Sequence, residues 1–236
     1  MPKAVVCLPT YNERENLERM IEALAPHGVG VLVIDDNSPD GTGEIADELA
    51  ATRDWLSVLH RTAKEGLGRA YVAGFREVLA GDADYVLQMD CDFSHDPADV
   101  PRLIAAVEDG ADLAIGSRYV PGGGVSNWPL HRRLMSLGAS FFIRLILMPV
   151  RDATGGFKCF RRDVLEAIDL DSIDAAGYVF QVETTFRARR KGFRVVEIPI
   201  HFADRTAGQS KMNFAVALEG VWKVPRLRLA ALLGRI

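Results

Sequence analysis

Five short runs rich in Val, Ile and Leu set the strongest limit on what this chain can fold into: AVVCLPT at 4–10, VGVLVIDD at 29–36, LSVLH at 56–60, YVLQMD at 85–90 and DLAIGS at 112–117. A run that stays apolar at consecutive positions suits a strand covered on both faces, the situation inside a parallel sheet. Between the runs lie segments of helical periodicity at 13–25, 41–52, 67–80 and 97–109. This alternation predicts βαβ units: an α/β fold with a Rossmann-like, mostly parallel sheet flanked by helices. Asn12, Asp40 and Asp96 stand where helix N-caps belong, and Pro97 suits a first helical turn. A length of 236 residues is enough for one such domain with a sizeable core.

The strand ends carry residues that a core does not need. PTYNE at 9–13, DDNSPDG at 35–41, DCDFSHD at 90–96 and GSRY at 116–119 each close an apolar run. Ligands of open α/β sheets bind outside the carboxyl ends of the strands, so these clusters are expected to line one crevice. In DCDFSHD, an extended backbone would point Asp90 and Asp92 to the same side. Two carboxylates so placed repel each other unless they share a cation, and Mg²⁺ or Mn²⁺ takes carboxylate oxygens together with substrate phosphate oxygens. A diphosphate in turn implies a nucleotide, whose base and ribose belong at the first two strand ends. There Asp36 and Glu13 offer acceptors and Tyr11 a ring, although Asp35 and Asp36 also suit an Asx turn before Ser38. No GxGxxG follows the first strand and no GxxxxGK[ST] occurs, so the phosphate-binding turns of dinucleotide oxidoreductases and P-loop NTPases are missing.

A formal net charge of −4 argues against generic nucleic-acid binding, which usually leaves a basic domain. Any anionic ligand must then be held by local groups. The 3 cysteines, Cys7, Cys91 and Cys159, form no CxxC pair, which predicts neither a disulfide framework nor a zinc site and suits a reducing cytosol. Met1-Pro2-Lys3 leads straight into an apolar strand-like run without a leader pattern, so secretion is not expected.

The pattern changes after residue 120. PGGGVSNWP at 121–129 reads as a loop, rich enough in glycine to move over a substrate. HRRLMSLGASFFIRLILM at 131–148 reads as a helix whose polar positions 133, 136, 140 and 144 form one narrow stripe. Such a helix is either packed on several sides or lies at a membrane surface; Arg144 in its middle opposes a spanning role. RVVEIPIHF at 194–202 reads as a strand and DRTAGQSK at 204–211 as a polar loop. The apolar, basic tail from Asn213, divided by Pro225, carries Lys223, Arg226, Arg228 and Arg235; it suits either anionic lipid or its own domain. The expected division is a catalytic domain over 1–212 and an amphipathic tail over 213–236.

The segments PTYNERENL, IDDNSPDGT, MDCDFSHDP, IGSRYVPGGG, NWPLHRRLMS, TGGFKCF, GYVFQVE and DRTAGQSK, in this order over nearly the whole chain, resemble the family 2 glycosyltransferases. Within that family they resemble the polyprenyl-phosphate (dolichol-phosphate) mannose synthases. The resemblance implies a GT-A fold, GDP-mannose as donor, Mg²⁺ or Mn²⁺ as cofactor and a polyprenyl monophosphate as acceptor. It further implies that Pro9, Tyr11, Glu13, Ile34 and Asp36 contact the nucleoside, and that Asp90 and Asp92 hold the metal. Arg118, Arg132, Arg205 and Lys211 would surround the donor diphosphate and the acceptor phosphate. Ser94 departs from the pattern, standing where a relative can have Gln as a further metal ligand; its hydroxyl is shorter and weaker. Gln181 and Glu183 fall where other members place a base, and are assigned here to sugar hydroxyls or to structure. Cys91 is expected to point away from the metal into the core.

A phosphate monoester acceptor is largely dianionic at neutral pH, its second pKa being about 6. It can attack the sugar without a general base, which predicts direct displacement with inversion. UDP-glucose is the alternative donor, because an acidic pair does not read the sugar, and a catalytically silent membrane scaffold is the alternative of another class. The expected location is the cytosolic face of a membrane, reached through the 131–148 helix, the tail or a separate membrane-anchoring protein.

Overall fold

The computed structural model of the chain describes residues 3–173, 177, 179–203, 214–234 and 236, with helix backbone alone over 214–219. Strands β1 (Ala4–Thr10), β2 (Gly30–Asp35), β3 (Leu56–His60), β4 (Tyr85–Gln88) and β5 (Leu113–Ser117) form in the apolar runs. Helices α1 (Arg14–Leu24), α2 (Thr42–Ala50), α3 (Leu67–Ala80) and α4 (Val100–Glu108) alternate with them, α4 following a 3-10 turn at Pro97–Asp99. The side chain of Asp96 caps that turn, accepting from Ala98 N at 2.9 Å. Asp40 accepts from Thr42 N at 3.0 Å at the start of α2. Asn12 does not cap α1; it turns the chain instead, with a φ of 59° in the left-handed region that Asn tolerates.

The chain continues through β6 (Gly124–Val125), α5 (Leu130–Ile146), β7 (Lys158–Arg161), α6 (Arg162–Ala167), α7 (Val179–Arg190), β8 (Val195–Pro199), β9 (His201–Phe202) and α8 (Phe214–Leu232). The main sheet has 7 strands in the order β3-β2-β1-β4-β7-β5-β8. All pairings are parallel except those of β7, which runs antiparallel between β4 and β5. The strand expected over 194–202 is split at the buried Ile200, so that β8 joins the main sheet and β9 pairs with β6. Gly123, just before β6, is needed for close packing, since a Cβ there would lie 2.5 Å from the Ser117 carbonyl oxygen.

Each face of the sheet has its own core. Leu17, Met20, Ile21 and Leu24 of α1 follow helical spacing into one, and Ala70, Tyr71, Phe75 and Val78 of α3 into the other. Helix α3 rides so close to β2 that a Cβ on Gly74 would stand 2.2 Å from Ile34 Cδ1. Ile34, expected at the nucleoside, therefore has its side chain buried under α3. Gly74→Val is expected to destabilise the fold by about 3 kcal/mol through overpacking. The check is a denaturant titration, and an unchanged midpoint would show that α3 has room to spare.

Helix α5 is inverted relative to a core helix. Ser136 and Ser140 face inward and are buried, while Leu134, Phe141 and Leu145 are 59%, 69% and 76% exposed. Within the chain this helix is packed along one side only. Helix α8 continues through the exposed Pro225 without dividing, although that residue has no N–H to give to the helix. It docks on α5 and α7, with Val224 and Ala231 buried and Arg190 Nη1 donating to Ala231 O at 2.7 Å. Among the described residues no helix is long and apolar enough to cross a membrane.

Candidate active site

A cavity of about 340 Å³ opens at the carboxyl ends of β1, β2 and β4, where the strand order reverses between β1 and β4. Pro9, Tyr11, Glu13 and Asp36 line one end of it, Asp90 and Asp92 the middle, and Arg118 and Arg132 the side towards α5. The clusters read from the strand ends thus share one crevice. Arg205 and Lys211 lie outside the described residues.

At the nucleoside end the adjacent aspartates have separate tasks. Asp35 braces the turn before Pro39 in place of an Asx turn, accepting from Ser38 N, three residues on, at 3.0 Å and from Ser38 Oγ at 2.6 Å. Asp36 is paired with Arg61, both side chains being largely buried. Burial raises the Asp36 carboxyl above its ordinary value, with the Arg61 guanidinium opposing the shift. Lys64 Nζ sits 3.6 Å from the Tyr11 ring centroid, and Glu13 Oε2 accepts from Asn16 Nδ2 at 2.8 Å. Arg61 and Lys64 were not singled out from sequence; a basic pair just past the third strand was the available signal.

The acidic pair does not sit on an extended strand. β4 ends at Gln88, and the chain bends through 91–95 with Phe93 at a φ of 59°, an uncommon conformation for a bulky residue. What gathers Asp90 and Asp92 is the turn. Asp92, 4% exposed, accepts from Ser94 N at 3.0 Å, and Tyr71 Oη lies 3.4 Å from Asp90 Oδ1. Ser94 contributes that amide; its hydroxyl is buried without a hydrogen-bond partner and is not part of the cavity wall. Cys91 is 2% exposed and packs in the core, and burial pushes its thiol well up. Among the described residues no three His, Cys, Asp or Glu side chains form a metal cluster. Two hard carboxylates at a cavity wall fit a divalent cation whose remaining positions go to phosphate oxygens and water.

The basic side is more constrained than the sequence suggests. Arg118 is gripped by Asp152, with Nε 2.7 Å from Oδ2 and Nη2 2.6 Å from Oδ1, and Nη2 also donates to Thr154 Oγ1 at 2.9 Å. Asp152 is fully buried. Arg132 lies over the Trp128 ring, its Cζ 4.2 Å from the centroid. The two residues considered on α7 part ways. Gln181 lines the cavity and accepts from Gln88 Nε2 at 2.7 Å, whereas Glu183 is buried in an ion pair with Arg187, 2.6 Å to Nη2.

Beneath Gln181 lies Lys158 of β7, fully buried, donating from Nζ to Gln181 O at 2.6 Å and approaching Thr184 Oγ1 at 3.3 Å. Burial pushes its ammonium down to about 7 from an ordinary 10.5, with Asp152 opposing. Between these values the unfolded chain binds the proton that the folded one has lost, so stability rises with pH across that window. Midpoints measured at about pH 7 and pH 9 are expected to differ less in Lys158→Met than in the parent; an equal rise in both would remove Lys158 as its source.

A mostly parallel sheet with an acidic turn and basic side chains around one strand-end cavity is the architecture of the GT-A class. The chain belongs to glycosyl transferase family 2, whose sequence profile matches residues 5–169. It is 49% identical over 226 residues to a polyprenol monophosphomannose synthase of Mycolicibacterium smegmatis, covering 94% of this chain and 85% of the relative. It is 48% identical over 232 residues to an undecaprenyl-phosphate mannosyltransferase of Micrococcus luteus, covering 97% and 95%. A mannosyltransferase of Pyrobaculum calidifontis, solved with GDP-Man and Mn²⁺, superposes with a TM-score of 0.61 at 16% identity, over 99% of this chain and 74% of that one; this likeness is one of fold.

Proposed function

We propose that the protein transfers mannose from GDP-mannose to a polyprenyl (dolichyl-type) monophosphate by direct displacement, with Mg²⁺ or Mn²⁺ held by Asp90 and Asp92. The observation that carries this reading is the two-sided character of the cavity. Its charged end continues into an apolar wall made by Met135, Ala139 and Ile143 of α5, Val179 and Val182 of α7, and Val224 of α8. An acceptor with a phosphate head and an isoprenoid tail matches both parts. The names of the relatives in Mycolicibacterium and Micrococcus support the same choice of acceptor.

In this reading Tyr11, Glu13 and the Asp36–Arg61 pair receive the nucleoside beside Pro9, and Gln181 reaches a sugar hydroxyl. Ile34 and Ser94 are left to packing and to the turn. The acceptor phosphate, with a second pKa of about 6, attacks as a dianion. Its oxygen bonds to the anomeric carbon as the bond to the GDP oxygen breaks, so no proton has to be removed and an α-linked donor gives a β-linked product. A bound divalent cation would neutralise charge on the leaving diphosphate. Arg118, fixed by Asp152, and Arg132, held on Trp128, supply positive charge that needs little reorganisation, and Arg205 and Lys211 are assigned to the same phosphates.

The exposed apolar faces of α5 and α8, including Phe141, Leu145 and Trp222, carry the exposed Arg133, Arg144, Arg226 and Arg228 alongside them. We assign this surface to an anionic bilayer at its cytosolic face. Leu145→Glu combined with Trp222→Glu should abolish co-sedimentation with phosphatidylglycerol vesicles while sparing GDP binding. Retained sedimentation would move the contact elsewhere on the protein.

The reading as a whole is tested by offering GDP-mannose or UDP-glucose with a polyprenyl phosphate in detergent and following sugar into extractable lipid. Metal-dependent transfer from GDP-mannose alone is expected. Transfer from UDP-glucose alone would overturn the donor, and no transfer from either despite nucleotide binding would favour a silent relative or a missing membrane partner.

A further inference from the structure

His95 lines the cavity, yet no step above uses it. It is 2% exposed, and its Nδ1 accepts a hydrogen bond from the Asp90 backbone N at 3.1 Å. A ring that accepts at Nδ1 is neutral and carries its proton on Nε2. The ring plane is fixed by neighbours: it stacks on Phe157 at 5.0 Å between centroids and meets Phe202 edge-on at 5.5 Å. Phe202 in turn lies edge-on to Trp128 at 5.4 Å, and Trp128 carries Arg132 on its face. One aromatic column therefore runs from beneath the acidic turn to the residue that bears a cavity arginine.

The turn needs such a support. The β4 ladder ends at Gln88, opposite Lys158, and Met89 N still donates to Cys7 O at 3.3 Å. The Asp90 amide comes next, past the last ladder residue and just before the chain bends through 91–95. A part-buried amide left there without an acceptor would carry a desolvation penalty, and the backbone that aims the Asp90 side chain would lose one of its anchors.

We infer that His95 is a positioning residue for the acidic turn: its Nδ1 holds the Asp90 amide, and the Phe157–His95–Phe202–Trp128 column keeps Asp90 in register with Arg132. This rests on the reading of Asp90 as a metal-holding residue.

The test compares Mn²⁺ binding, measured by electron paramagnetic resonance in the presence of GDP, for the full chain and two variants, with thermal melting recorded for each. His95→Phe keeps an aromatic ring and removes the acceptor; it is expected to weaken Mn²⁺ binding about tenfold. His95→Asn removes the ring and restores a carbonyl acceptor near the Nδ1 position; it is expected to bind within about threefold of the parent, while melting no higher than the Phe variant. A purely structural role predicts the opposite ranking. The inference is overturned if the Phe variant binds Mn²⁺ like the parent, or if the Asn variant binds no better than the Phe variant. Absence of Mn²⁺ binding by the parent would instead overturn the metal reading. The nitrogen spectrum of the parent labelled with ¹⁵N-histidine checks the hydrogen bond itself without any variant: an unprotonated Nδ1 on His95 is expected, and a protonated Nδ1 sinks the inference.

Discussion

Asp92→Asn should lower metal-dependent mannosyl transfer by about 10²- to 10³-fold, the cost of removing one group aimed at charge that develops in the transition state, and should leave the melting temperature nearly unchanged. Asparagine keeps the oxygen that accepts from Ser94 N, so the turn survives. What disappears is one of the two negative charges that a hard cation needs, with no third carboxylate, histidine or cysteine clustered among the described residues to replace it. Initial rates over a range of Mn²⁺ concentrations, with calorimetry alongside, make the check. A fully active variant would remove the metal from this turn.

The second large effect is expected at Asp152, which has no solvent exposure and grips Arg118 through both carboxylate oxygens. Asp152→Asn substitutes an amide that cannot accept at both positions and leaves a guanidinium only 9% exposed without its counter-charge. Breaking one side of such a buried pair costs about 3–5 kcal/mol, which in a domain of this size lowers the melting temperature by roughly 10 °C. Transfer should fall with it. Replacing both partners at once, Arg118→Met with Asp152→Leu, separates the causes: it is expected to recover part of the stability, the backbone N of residue 118 still lacking the acceptor that Asp152 Oδ2 gives it at 2.8 Å, and none of the activity. A double variant that still transfers mannose would make Arg118 a structural residue only.

The first half of the chain was readable because its strands are apolar at most positions and its helices apolar on one face. GVLVID of β2, buried throughout, leaves little else for that segment to be. The second half hid its elements for definite reasons. β7 is four residues, KCFR, with a cation at each end, and nothing in such a stretch announces a strand in the middle of a sheet. α7 buries Gln181, Glu183, Thr184, Thr185 and Arg187 together with Val179 and Phe180, so no polar face marks it. The site showed the same division. Which residue types gather at the strand ends was legible from order and spacing. Which of them are already engaged was not, since the partners of Arg118, Asp36, Asp90 and Glu183 lie at Asp152, Arg61, Tyr71 and Arg187, and only folding brings the first three pairs together.

The placement of β7 also bears on how the protein is made. β4 and β5 are consecutive parallel strands, yet they never touch; the strand that joins them is reached only at residues 158–161, after α5. A nascent chain that has emerged as far as β5 holds one four-stranded fragment, β3-β2-β1-β4, with an open edge at β4, and a β5 whose partners β7 and β8 are still to come, and the acidic turn at the end of β4 has no neighbour on that side. The catalytic crevice is therefore sealed late in synthesis. Polypeptides that end before residue 161 should collect on chaperones or aggregate rather than accumulate as partly active enzyme.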